Sequence, residues 1–209
     1  MTAALVIDDH PVTHLGCRRL LTEAGIETVL EARSGKEGQR LSSQHRPAVI
    51  VLDLALPDGG GLAMIGRLLE DSPESRILVF SMHEDPVFAA RALEAGAHGY
   101  LTKSSKPEDF IEAIGTIRAG RTYLERDIAT RLAVSSVGRG ESPLRGLSAR
   151  ELEVLQLVAK GMNHGEIATR LGLSYKTIAN TCTSLKSKLG ARTLPDLVRI
   201  AMENERAAP

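Results

Sequence analysis

At 209 residues, with 43% apolar and 25% charged positions, the chain is long enough for one large or two small soluble globular domains. No stretch approaches the ~20 apolar residues of a membrane helix, and the N-terminus meets two acids, Asp8 and Asp9, after too short an apolar run for a signal peptide. Net charge is zero but unevenly spread: residues 1–119 carry 12 Lys and Arg against 17 Asp and Glu, residues 147–209 nine against six. A basic module therefore follows an acidic one. Cys17 and Cys182 lie far apart without CxxC spacing, which fits a reduced, cytoplasmic setting.

Residues 3–8 read as a short apolar strand, and His10-Pro11 opens a helix that Gly25 closes. Thr28 to Ala32 is a second strand and Gly35 to His45 a second helix, ended by Arg46-Pro47. The run from Ala48 to Leu52 then drives straight into Asp53, followed by Pro57 and Gly59 to Gly61, the pattern of a buried parallel strand. A third helix spans Leu62 to Asp71. Arg76 to Phe80, Pro86 to Glu94, His98 to Thr102 and Pro107 to Ala119 continue the alternation. The expectation is a doubly wound α/β domain with a five-stranded parallel sheet over residues 1–120. Residues 121–146, with Gly138, Gly140, Pro143 and Gly146, read as a linker with a short helix around Asp127 to Val134. Residues 147–209 carry no strand pattern. Ser148 with Glu151 forms a capping box, Asn163 and Ser174 are further N-caps, and Gly161, Gly172 and Gly190 end helices. Four helices with a tight Gly172-Leu173 turn suggest an all-α helix-turn-helix domain.

A strand-ending aspartate is either a helix cap or a chemical group. In a parallel sheet, residues that end adjacent strands meet at one edge, where ligands bind. Asp8, Asp9, Asp53, Ser81 and Lys103 all end strands here. Three carboxylates together need a cation, and hard oxygen ligands with an incomplete shell suit Mg²⁺. Lys103 offers a fixed positive charge and Ser81 a hydroxyl, a set suited to a phosphoryl group, with Asp53 as nucleophile forming an acyl phosphate. Asp9 and Asp53 are 44 residues apart, Asp53 and Ser81 28, Ser81 and Lys103 22. With Pro57, Gly59 and Pro107, this set resembles the receiver domain of two-component response regulators, a flavodoxin-like fold. The resemblance implies that Asp53 accepts phosphate from a sensor histidine kinase. It also implies that Asp8, Asp9, Asp53 and the backbone carbonyl of Ala55 hold Mg²⁺, that Lys103 and Ser81 contact the phosphoryl oxygens, and that Tyr100 is a switch aromatic turning inward as Ser81 moves. Met82 is bulky where receivers often carry a small residue; His83 and Ala55 flank the site; His10 reads as a solvated helix-start residue or a supporting one.

Projected at helical pitch, residues 174–189 put Ile178, Cys182, Leu185 and Leu189 on a core side and Lys176, Asn180, Thr183 and Ser187 on the other, flanked by Lys186 and Lys188. From pattern alone this is an ordinary solvated face or one that reaches base edges and phosphates in a major groove. Leu147 to Glu151, Glu153 to Leu155, Val158 to Gly161, Glu166 to Ala168, Leu171, Ser174, Thr177-Ile178 and Lys188 to Gly190 are similar to the LuxR-type helix-turn-helix. Receiver plus this domain resembles the NarL/FixJ class. The resemblance implies DNA contacts from Lys176, Thr177, Asn180, Thr183, Ser184, Lys186, Ser187 and Lys188. Ala179 and Thr181 stand where the family often has Lys and His, which shifts phosphate contact onto the other side chains. The reading is a phosphorylation-controlled transcription regulator that pairs as a homodimer on promoter DNA, without a membrane partner. Leu194, Leu197, Val198 and Ala201 serve a dimer face or the core equally well. It is not a turnover enzyme: haloacid-dehalogenase-type hydrolases need a second Asp at the position of Ala55. Two other readings are signalling through the receiver surface without DNA, and control independent of phosphorylation.

Overall fold

The computed structural model describes residues 3–137 and 143–206. Six parallel strands lie in the order β2-β1-β3-β4-β5-β6: β1 (Ala3–Ile7), β2 (Thr28–Ala32), β3 (Val49–Leu52), β4 (Arg76–Ser81), β5 (Gly99–Thr102) and β6 (Tyr123–Leu124). The helices between them are α1 (Pro11–Glu23), α2 (Gly35–His45), α3 (Gly61–Asp71), α4 (Pro86–Glu94) and α5 (Pro107–Arg118). Successive strand residues face opposite sides. Val6, Val49, Val51 and Leu101 pack under α1 and α5 with Leu21, Phe110, Ile114 and Ile117. Leu5, Ile7, Ile50, Leu52, Ile77 and Val79 face the other way, onto Ile65 and Leu68 of α3 and Ala89 and Ala92 of α4. With both faces covered, the central strands β1 and β3 are apolar throughout, which is why they read as continuous runs rather than alternating ones.

The sixth strand departs from the five expected. Residues 123–124 fall in the segment read as linker, yet Tyr123 N donates to His98 O at 3.0 Å and Glu125 N to Tyr100 O at 3.3 Å. The Glu125 carboxylate accepts from Thr102 N at 2.9 Å and so satisfies the next donor on this edge. Two residues are too few to show a period, so the pairing partner rather than the local pattern makes this strand. Helix α6 (Arg126–Val137) follows. Gly138 and Gly140 of the expected linker lie outside the described residues. A 3₁₀ turn, Pro143–Gly146, leads into α7 (Ala149–Ala159), α8 (His164–Leu171), α9 (Tyr175–Leu189) and α10 (Leu194–Arg206). Ser148 accepts from Glu151 N while the Glu151 carboxylate accepts from Ser148 N, and Asn163 with Glu166 repeats the device. Leu152, Leu155, Val158, Ile167, Ile178, Cys182, Leu185 and Leu197 form the helical core.

The helical part is docked on the sheet part. Arg170 Nη2 donates to Leu56 O at 2.8 Å, and Arg91 donates to Leu147 O at 3.2 Å and Arg145 O at 3.0 Å. Leu171 packs on Gly59, whose φ is +72°; a Cβ there would collide with the leucine side chain. Buried apolar contacts run without a break from the α3/α4 face of the sheet into the core of α7 to α10.

Candidate functional site

Each strand ladder continues one residue beyond its strand, and this fixes the polar residues at the carboxyl edge. Asp8 N donates to Ala32 O at 3.0 Å, Asp53 N to Ile7 O at 2.9 Å and Lys103 N to Ser81 O at 2.8 Å. Asp8, Asp53 and Ser81 are consequently buried, at 2%, 2% and 0% exposure. Lys103 Nζ reaches Asp8 Oδ2 at 2.6 Å and Asp53 Oδ2 at 2.8 Å. Burial alone would lower the Lys103 pKa; the Asp53 and Asp8 carboxylates outweigh it and hold the ammonium above its ordinary range. Lys103 is therefore a permanent cation between two anions. Asp53 Oδ1 accepts from Ala55 N at 3.3 Å, which folds the chain after β3 around the carboxylate.

Asp8, Asp9, Asp53 and His10 place ligand atoms within 4.8 Å of one another. Asp9 Oδ1 is buried and makes no hydrogen bond. A buried carboxylate oxygen is costly unless a cation meets it, and clustered carboxylates with room for water fit Mg²⁺. His10 belongs to the cluster more closely than its position in the sequence indicates. Its backbone N and Nδ1 lie 2.8 and 3.0 Å from Asp8 Oδ1, and Nδ1 is 2.9 Å from Asp9 Oδ1. His14 Nε2 donates to Asp8 O at 2.6 Å. Asp58, unassigned in the sequence reading, accepts from Gly35 N at 2.8 Å and Lys36 N at 2.9 Å. It caps α2 from the loop that follows Asp53, a contact across more than 20 residues that no local motif announces.

Tyr100 is fully buried, facing inward, with its Oη donating to His83 O at 2.7 Å. Burial, then the nearby Asp53, Asp85 and Glu125 carboxylates, keep the phenol protonated far above its ordinary range, despite a hydrogen bond with Ser81. Met82 is exposed to solvent.

On α9, Ser174 caps the helix by accepting from Thr177 N at 3.1 Å. Ile178, Cys182 and Leu185 are buried, and Lys176, Thr177, Asn180, Thr183 and Ser187 are exposed. Lys186 lies at the margin. Ser184 and Lys188 also bond within the domain, with Lys188 still exposed: Ser184 Oγ donates to Glu151 Oε1 at 2.7 Å, and Lys188 Nζ to Glu151 Oε2 at 2.8 Å and Gly146 O at 3.2 Å. The face of α9 that remains open is the one built of Lys176, Asn180, Thr183 and Ser187, and docking onto the sheet leaves it uncovered.

Residues 4–115 match the response regulator receiver domain, and residues 145–201 match the bacterial regulatory proteins of the luxR family. Similarity to curated proteins spans nearly the whole chain. It is 38% identical to the transcriptional activator protein ExaE of Pseudomonas putida, over 95% of each chain. It is 38% identical to the methanol utilization control regulatory protein MoxX of Paracoccus denitrificans, over 93% of this chain and 88% of that one. The chain belongs to the LuxR-type response regulators. RcsB of Salmonella enterica serovar Typhimurium, solved bound to a promoter with the phosphomimetic BeF3⁻, aligns over 96% of this chain and 98% of its own at 26% identity and a TM-score of 0.79. A LuxR-family response regulator from Aurantimonas sp. SI85-9A1 aligns over 66% of this chain and all of its own at 39% identity and a TM-score of 0.62. This LuxR-type response regulator is thus a two-component transcription regulator with a DNA-binding domain, in a family whose receivers bind Mg²⁺ in an acidic pocket.

Proposed function

We propose that Asp53 is the phosphoacceptor and that a sensor histidine kinase is the donor. The P–N bond of the kinase phosphohistidine breaks, a P–O bond to the Asp53 carboxylate forms, and the departing imidazole takes up a proton. Asp8, Asp9, Asp53 and the Ala55 carbonyl would hold Mg²⁺, which supplies charge neutralisation for the anionic phosphoryl group. Lys103 leaves its contact with Asp53 for a phosphoryl oxygen, and Ser81 donates to another. The observation that carries this reading is Lys103 bridging Asp8 and Asp53 beside the buried Asp9 oxygen. Exposed Val12 and Leu15 in α1 and Met82 after β4 offer the kinase an apolar rim on the same edge of the sheet. Tyr100, packed under the His83 carbonyl, passes Ser81 movement to the surface of α4 and β5.

The domain division that serves this function is receiver, linker and DNA-binding domain over residues 1–120, 121–146 and 147–209, with β6 carrying the sheet into the linker. Lys176, Thr177, Asn180, Thr183 and Ser187, with Lys186 at the edge, read promoter DNA. Ser184 and Lys188 support α9 through Glu151. A phosphorylated homodimer sets two such helices about one DNA turn apart. Among the described residues no helix is long and apolar enough to cross a membrane, and the proposed site of action is the cytoplasm.

The test is phosphorylation of the full chain with acetyl phosphate and MgCl₂, followed by phosphate-affinity electrophoresis. Wild type takes up one acid-stable, base-labile phosphoryl group and Asp53→Asn none. Uptake by Asp53→Asn at the wild-type level would overturn the assignment.

A further inference from the structure

Residues 82–85 connect β4 to α4, and neighbouring elements grip this connection at different atoms. Ser81 Oγ accepts from His83 N at 3.4 Å, and Tyr100 of β5 donates to His83 O at 2.7 Å. Arg131 of α6 donates to Glu84 O at 3.0 Å, and Ser104, next to Lys103, donates to the Glu84 carboxylate at 3.1 Å. The His83 ring stacks on Phe88 of α4, with centroids 4.5 Å apart and planes at 20°. Its Nε2 lies 2.8 Å from Gln156 Nε2 of α7, 73 residues away. The Gln156 amide donates, so the ring nitrogen it meets is unprotonated. Leu144, Leu152 and Leu155 close around this contact. Arg91 and Arg170 also link the domains, and their bonds end on backbone carbonyls of residues 145, 147 and 56. His83 alone among these linking residues is bonded to Ser81.

We infer that His83 and Gln156 are the coupling contact between the phosphoacceptor pocket and the DNA-binding domain. Its backbone is tied to Ser81 and Tyr100, and its ring is the face that α7 reads. The inference rests on the phosphoacceptor role of Asp53. When Ser81 swings toward a phosphoryl group, the His83 amide loses its acceptor, the connection shifts, and the ring leaves Gln156. Coupling of this kind is reciprocal. Gln156 lies in the DNA-binding domain, touches nothing in the acidic pocket, and nevertheless restrains phosphorylation there by holding residues 82–85 in place. It is a positioning residue, not a catalytic one.

The experiment compares full-length wild type, Gln156→Ala, His83→Asn and the double variant. The readouts are the rate of phosphorylation by acetyl phosphate with MgCl₂ and the radius of gyration from small-angle scattering with and without beryllofluoride. A hydrogen bond of ordinary net strength predicts that Gln156→Ala is phosphorylated about two- to tenfold faster and is already expanded without beryllofluoride. The double variant gains no more than the larger single one. Gln156 sits at the edge of the helical core, so Gln156→Ala carries the test even if His83→Asn misfolds. Wild-type rate and radius in Gln156→Ala, or fully additive gains in the double variant, overturn the coupling while the phosphoacceptor reading stands. Absence of phosphate on Asp53 in wild type overturns both.

Discussion

Two anions and one cation meet at the sheet edge with little water to screen them. Lys103, 9% exposed, bridges Asp8 and Asp53, each 2% exposed or less, and offsets half of their charge. Removing one partner of such a buried group leaves uncompensated charge, which costs about 3–5 kcal/mol. Lys103→Ala should therefore melt at a lower temperature than wild type in chelator. Added MgCl₂ should restore much of the loss, because a cation at the same carboxylates replaces the missing ammonium; equal melting curves with and without MgCl₂ would count against a cation site here. Glu151 is the corresponding residue in the DNA-binding domain. Burial pushes its pKa up, but hydrogen bonds from Lys188, the Ser148 backbone, Ser184 and the Ser148 hydroxyl overcome this and hold it down, at about 2. A lowered carboxyl pKa adds stability that is present above the ordinary value of 4.5 and lost as pH falls from there through about 2. Glu151→Gln should lower the unfolding free energy of the helical domain at neutral pH by about 1.5–3 kcal/mol, the worth of a hydrogen bond to a charged group, read from denaturation curves. That deficit should shrink in acid.

At the scale of elements, what the sequence discloses is what neighbours in the chain decide. The caps Ser148, Asn163 and Ser174 were legible because the cap and its partner lie three residues apart, and the apolar strands because both their faces are covered. Asp53, Ser81, Lys103 and the Asp8-Asp9 pair were legible because strand ends converge. Three features were not. Strand β6 has no periodicity of its own; Asp58 caps a helix that begins 23 residues earlier; and Ser184 and Lys188 meet a glutamate 33 and 37 residues away. A helical projection shows which way a side chain points, but not that a carboxylate on another helix is waiting for it. This distinction yields a prediction on α9. Lys176→Ala should weaken binding to duplex DNA and reduce the slope of log affinity against log salt by about one counterion. Lys188→Ala should instead lower the stability of the helical domain through Glu151. Salt-dependent titration of both variants on one duplex, alongside their denaturation curves, separates a phosphate contact from a structural one.

For the whole molecule, the docked arrangement hangs on a few contacts whose protonation differs between docked and released states. His83, ordinarily titrating at 6.5, is lowered to about 4 by burial between the domains, by Lys160 of α7 and by Lys103; Glu84 and Asp85 of its own loop also line the cavity. The released chain binds a proton that the docked one refuses, so this residue weakens docking as pH falls from above 6.5 toward about 4. Glu153 of α7 acts with the opposite sign. Its Oε1 is buried without a hydrogen bond, beside Gly59 and Gly60 of the receiver. Burial raises its pKa above 4.5, against the pull of Arg150, Arg67 and Arg170. Its docked form keeps a proton that the released form has lost, so it weakens docking as pH rises through the raised value. In wild type the two oppose each other; single variants uncover each. Glu153→Gln should expand in small-angle scattering as pH is taken from about 8 to about 5, whereas His83→Asn should contract as pH falls through the raised Glu153 value. Gly59→Ala, strained at φ +72° and clashing with Leu171, should be expanded across the range, since neither group is then buried by docking. Parallel pH responses in the first two variants would show that the domain contact, and not these two side chains, is what the protons act on.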